Sequence, residues 1–100
     1  VTFQTIYPGW YAGRITHIHF QVYLTTLSGT ASATSQLAFP PDITTAVYAS
    51  SLYAARGQNT SVTSFAADNV FSDGTQYQLA TVTGTIAGGL GAALTVGVAR

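Results

Sequence analysis

Between Arg14 and Leu27 the chain alternates apolar and polar residues with a period of two. Ile18, Phe20, Val22 and Leu24 take the even positions, and His17, His19, Gln21 and Tyr23 the odd ones. A helix would scatter both sets around its circumference, whereas a strand sends alternate side chains to opposite faces. The segment therefore predicts a long β-strand with one buried apolar face and one polar face. It also sets both histidines of the chain side by side on the polar face. Two neighbouring imidazoles can chelate one metal ion, and neutral imidazole suits iron, zinc and copper.

Other segments carry strand and turn signals. Val1–Ile6 alternates as a further strand, and Tyr7, Pro8 and Gly9 form a turn signal. Ser28–Ser35 is a run of small residues suited to a loop or hairpin turn. Gln36–Phe39 reads as a short strand stopped by Pro40 and Pro41, because proline donates no ladder hydrogen bond. Asp42 is placed to cap a short helix over Thr44–Arg56, with Val47, Tyr48, Leu52 and Tyr53 near helical spacing and Gly57 as its stop. After a polar loop at Gln58–Ser64 and a turn at Ser72, Asp73 and Gly74, Tyr77–Gly84 and Leu90–Val98 predict a C-terminal hairpin joined through Thr85–Gly89. Five or six strands and one short helix in 100 residues predict a single all-β domain, an antiparallel β-sandwich.

Charge narrows the function classes. Only 6% of the residues are charged, against about 25% in ordinary domains. The cations are Arg14, Arg56 and Arg100 and the anions Asp42, Asp68 and Asp73, so the net charge is +0. Nothing here grips a phosphate backbone, which argues against nucleic acid and anionic membranes as partners. Neutrality also removes the repulsion that keeps copies apart, so a homo-oligomer or larger assembly is expected. There is no cysteine to form disulfides. No stretch reaches the roughly 18 apolar residues of a membrane helix, so no membrane insertion is expected. A lysine-free chain rich in Thr and Ser, with a formal glycosylation sequon at Asn59, Thr60 and Ser61, points to a secreted, extracellular protein.

The run PGWYAGRITHIH, from Pro8 to His19, resembles the signature of the intradiol ring-cleavage dioxygenases, most closely their extracellular branch. Ser35–Pro40 is similar to the family's T-Q-x-x-F segment, and the likeness resumes at Ala46–Tyr48 and Tyr53–Gly57. The resemblance covers most of the chain and implies a β-sandwich holding non-haem Fe(III) on two tyrosines and two histidines. Tyr11, His17 and His19 match three of those ligands. It implies a small aromatic diol and O2 as substrates, with a catechol opened to a muconate-type diacid. It places Arg14 and Gln36 in the catalytic machinery. Arg14 stands beside the substrate, where its positive charge stabilises the carbanion-like catecholate, and Gln36 lies behind the site as a hydrogen-bond partner. The family's other tyrosine lies well upstream of this block, and Tyr7 is too near to be it. The chain thus reads as a domain lacking its N-terminal part, with little turnover expected from this piece alone.

The residues also admit plainer roles. A strand HxH pair can simply hydrogen-bond its neighbours at a sheet surface, Tyr11 can be aromatic packing, and Gln36 an ordinary strand residue. The pair alone also suits a cupin or a zinc hydrolase, but those need a further His, Glu or Asp, and the chain has no glutamate and no third histidine. Asp42 reads as a cap, and Asp68 and Asp73 as turn residues. No Ser/His/Asp triad is supported, and the Gly88–Gly91 run is followed by no lysine or helix pattern, so it is no phosphate loop. The low charge and the missing ligand motivate a second reading. In it, the scaffold is reused as a secreted structural subunit of a surface layer or fibre, without catalysis.

Overall fold

The alternating segment forms strand β1, His17–Val22, paired antiparallel with β2, Ala33–Ala38, in a computed structural model that describes residues 2–23 and 33–97. The register sets Ile18 opposite Leu37 and His19 opposite Gln36. Directly opposed residues share a sheet face, so Gln36 joins the histidine face. β2 takes in Ala33–Ser35, which the sequence reading left in a loop. The expected continuation of β1 through Leu24–Leu27 and the loop residues Ser28–Ser32 lie outside the described residues, as does Val98.

Pro40 ends β2, and Pro41 opens helix α1, Pro41–Ala49. Proline suits the first helical position, where its fixed φ is already helical and its missing N–H is not needed. Asp42 therefore lies inside the first turn and makes no capping bond, contrary to the cap role expected for it. The expected Thr44–Arg56 helix is likewise corrected, because Ser50 adopts extended backbone and its N–H turns back to the Val47 carbonyl at 3.0 Å. The following turns run on to Gly57, whose φ of 74° closes the last one with an N–H bond of 3.3 Å to Tyr53.

The C-terminal hairpin consists of β3, Thr81–Thr85, and β4, Gly89–Ala93. Gly84 has a φ of 89°, and a Cβ there would run into the Gly89 carbonyl oxygen, so the position requires glycine. Both strands are shorter than expected. Residues ahead of β3 clasp the end of β2 instead. Ala38 donates to the Gln78 carbonyl at 2.7 Å, and Ala80 donates to the Ala38 carbonyl at 2.8 Å, a parallel bridge between the two hairpins.

The strand expected over Val1–Ile6 is not seen at residues 2–6, and Val1 lies outside the described residues. Residues 2–6 join no sheet among the described residues, and Phe3 and Ile6 are 82% and 79% exposed. Alternation proposes a strand, but a partner must take its backbone hydrogen bonds. The core gathers Ile15, Ala38, Val62 and Phe71, with Phe65 and Val70 packed against it. The apolar face of β1 is not part of this core. Ile18 is exposed and Phe20 and Val22 only half-buried, because no described element covers them. The chain is thus mostly β, with four strands among the described residues in two two-stranded antiparallel sheets and one short helix. Sandwich packing of one sheet on another is not seen among the described residues. No described helix is long and apolar enough to cross a membrane.

Candidate metal centre

Tyr11 follows a segment that α1 and its trailing turns hold in place. The Tyr48 hydroxyl donates to the Pro8 carbonyl at 2.8 Å, and the Tyr53 hydroxyl to the Tyr7 carbonyl at 2.7 Å. Trp10 Nε1 donates to the Gly57 carbonyl at 3.0 Å, and the Arg56 guanidinium lies 4.1 Å from the centre of the Trp10 ring. With its proton committed to Pro8, Tyr48 accepts from Thr16 Oγ1 at 2.6 Å, just ahead of β1. One buried phenol therefore ties the approach to Tyr11 to the entry of the histidine strand. Burial pushes the neighbouring Tyr7 phenol up to about 12, and it raises that of Tyr48 as well.

His17 Nδ1 lies 2.6 Å from the Ile15 carbonyl. A carbonyl only accepts, so Nδ1 carries the proton and neutral His17 keeps its lone pair on Nε2. Burial lowers the pKa of His17, and the nearby Arg14 and His19 add to this against the opposing Ile15 bond. Nε2 faces the Tyr11 hydroxyl at 3.0 Å, and the His17 and His19 rings are 5.0 Å apart between centres. The sequence-predicted ligands Tyr11, His17 and His19 are thus brought together at one exposed edge of β1.

Arg14 stands beside them, only 13% exposed at its side chain. Its Nε donates to Asp68 Oδ2 at 2.8 Å, one terminal nitrogen donates to Gln36 Oε1 at 2.6 Å, and the other lies 3.4 Å from His17 Nε2. Gln36 is therefore a direct partner of Arg14. Asp68 is the turn residue expected, but it is also fully buried and paired with Arg14. Its Oδ2 also accepts from the Ile15 N–H at 2.8 Å, and its Oδ1 accepts from the N–H groups of Val70 and Phe71 at 2.8 and 3.2 Å. A turn motif after Asp68 was legible in sequence, but its partner is 54 positions away, and no local pattern announces that pairing.

Burial works to raise the Asp68 pKa, but the bonds from Arg14 and the three backbone N–H groups outweigh it and hold the carboxyl at about 2, against an ordinary 3.8. A depressed carboxyl stabilises the fold fully above its unfolded pKa and loses that contribution as pH falls through the folded one. The Asp68 contribution is therefore expected to be flat from pH 7 to about 5 and to drop by about 2 kcal/mol between about pH 4 and pH 2, while the lowered His17 pKa makes stability fall as pH drops below the ordinary imidazole value. Denaturant midpoints across that range check this, and an Asp68→Asn variant that declines as steeply as wild type would refute the assignment.

The sequon residue Asn59 has a different task. Its Nδ2 donates to the Arg14 carbonyl at 2.8 Å, and its Oδ1 accepts from Ser61 and Val62. The nitrogen that a glycan would use is thus engaged in bracing the site.

The donor set fits a metal ion. Two donors each about 2.1 Å from one ion and at right angles lie about 3.0 Å apart. Tyr11 Oη and His17 Nε2 have that separation, which is also the length of the hydrogen bond between them. Among the described residues no three His, Cys, Asp or Glu side chains gather, so a third donor beside His17 and His19 would have to be the Tyr11 phenol. Phenolate is a hard anionic oxygen and imidazole a borderline nitrogen, a pairing suited to ferric iron. The chain matches no family model, and neither the curated proteins nor the solved structures give a significant match.

Proposed function

We propose that the chain is the donor-bearing part of a non-haem Fe(III) protein of the intradiol dioxygenase type, acting on catechol-type diols with O2. The observation that carries this reading is the Tyr11 hydroxyl 3.0 Å from a correctly tautomerised His17 Nε2, with His19 alongside and Arg14 fixed at the edge. Tyr11, His17 and His19 would hold the iron, and a second tyrosinate would complete the set. Bound iron supplies the Lewis acidity and electron-accepting capacity that make a catecholate reactive towards O2. The chain's own residues do the rest. Ile15 aims His17, Tyr11 would serve as a phenolate with its proton released to solvent, and Arg14 would face the anionic diol with a positive charge. The half-exposed Ile18, Phe20 and Val22 support a β-sandwich in which a second layer covers this face.

Iron titration with visible spectroscopy tests the proposal. About one iron per chain and a visible tyrosinate-to-iron band are expected. Added catechol should shift that band even where turnover is slow. Colourless protein that cannot be loaded with iron overturns the reading.

A structural subunit is the second reading, favoured by exposed apolar side chains. Phe3, Ile6, Leu52 and Tyr77 are 82%, 79%, 90% and 82% exposed on a chain with almost no charge to keep copies apart. Among the described residues the two-stranded sheets also leave strand edges open to pairing. Iron-free protein sedimenting as a large assembly would favour this role.

A further inference from the structure

We infer that Asp68 is a positioning residue that aims the Arg14 guanidinium and offsets part of its charge, so that a metal ion and an arginine can share one site. The inference rests on the iron reading above and adds a residue that the resemblance does not supply.

The geometry of the guanidinium carries the argument. Its three nitrogens lie in one plane in a rigid fork. Asp68 takes Nε at 2.8 Å and Gln36 takes one terminal nitrogen at 2.6 Å. Fixing two corners of the plane aims the third, which points at His17 Nε2 from 3.4 Å. A cation held on that nitrogen therefore meets a second positive charge close by. Like charges at such range repel, the more so as Arg14 itself is largely buried. The amide of Gln36 is neutral and cannot offset this. Asp68 can, since it is the anion bonded to Arg14 and is wholly buried.

The surroundings also require a carboxylate. Four donors converge on Asp68, namely Arg14 Nε and the N–H groups of Ile15, Val70 and Phe71. Only a group with two acceptor oxygens satisfies all four, whereas an asparagine would turn its own NH2 on one pair.

Four proteins decide the matter: wild type, Asp68→Asn, Arg14→Gln and the double variant. Each is titrated with Fe(III) in competition with citrate, after a thermal melt establishes that it is folded. Asp68→Asn is expected to bind iron roughly tenfold or more weakly, because it leaves Arg14 uncompensated. The double variant should recover most of that loss, which a merely structural role for Asp68 would not allow. Arg14→Gln keeps the carboxylate and its three backbone bonds, and should bind iron more tightly than wild type. It remains informative even where Asp68→Asn fails to fold. Unchanged iron affinity in either single variant, or a double variant as weak as Asp68→Asn, overturns the proposal.

A second readout is independent of iron. In the metal-free protein the Arg14 Nε–H should give a resolved, slowly exchanging 1H–15N signal that Asp68→Asn abolishes. A fast-exchanging signal in wild type overturns the positioning role. Wild-type protein that takes up no iron overturns the iron reading instead, and the Arg14 signal alone then decides whether Asp68 aims the arginine.

Discussion

Replacing Asp68 by alanine should cost about 3–5 kcal/mol, because it strips one partner from a buried ion pair and leaves the other charge in place. Arg14 would keep only the Gln36 carbonyl, with its side chain 13% exposed and little water to replace the carboxylate. The N–H groups of Ile15, Val70 and Phe71 would lose their acceptor, and two of these residues are buried. Each unsatisfied buried donor adds about 1–3 kcal/mol, so the combined loss sits at the upper end of what single substitutions do. Domains have only about 5–15 kcal/mol in total, so much of the folding stability would go. Urea denaturation at pH 7 measures it, with Asp73→Ala, in an exposed turn, as the control that should move by no more than about 0.5 kcal/mol. Equal midpoints for the two variants would show that the Arg14–Asp68 pair holds nothing together.

His17→Ala should weaken Fe(III) binding by more than about 100-fold, beyond what loss of an outer partner of a metal ligand costs. Under the proposed function His17 is the best-prepared donor of the set. Its tautomer is fixed by Ile15 and its lone pair faces Tyr11. Alanine removes the donor and frees only one backbone carbonyl, at a half-exposed position, so the fold should lose about 1 kcal/mol or less. Iron titration and a thermal melt on the same sample separate the two effects. An affinity within about threefold of wild type would place the metal somewhere other than the Tyr11, His17 and His19 cluster.

Local periodicity made part of this legible. The His17–Val22 alternation, the stop at Pro40 and the C-terminal hairpin are short-range signals, and each produced an element near its expected place. The same logic failed for Val1–Ile6, since a strand also needs a partner that sequence does not display. The helix moved because Pro41 outranks Asp42 as a starting residue once the chain turns at Pro40. At the site, Tyr11, His17 and His19 were legible because they lie within nine consecutive residues. Gln36 was legible only through the resemblance, although strand register explains its place. Asp68 was missed in its role because long-range ion pairs leave no periodic trace.

The bridge at Ala38 has a consequence for how the molecule is made. Each hairpin closes a short loop, whereas the Arg14–Asp68 bond joins residues 54 positions apart. Loop-closure entropy makes the distant contact the later one to form. The chain should therefore cross its folding barrier with the sheets in place and the arginine still unclamped. Asp68→Asn is then expected to speed unfolding several-fold while leaving the refolding rate almost unchanged, as stopped-flow mixing can measure. A refolding rate that falls in step with stability would instead put this ion pair in the nucleus. On the first outcome, the Arg14–Asp68 clasp is the last feature the newly made chain acquires and the first it loses.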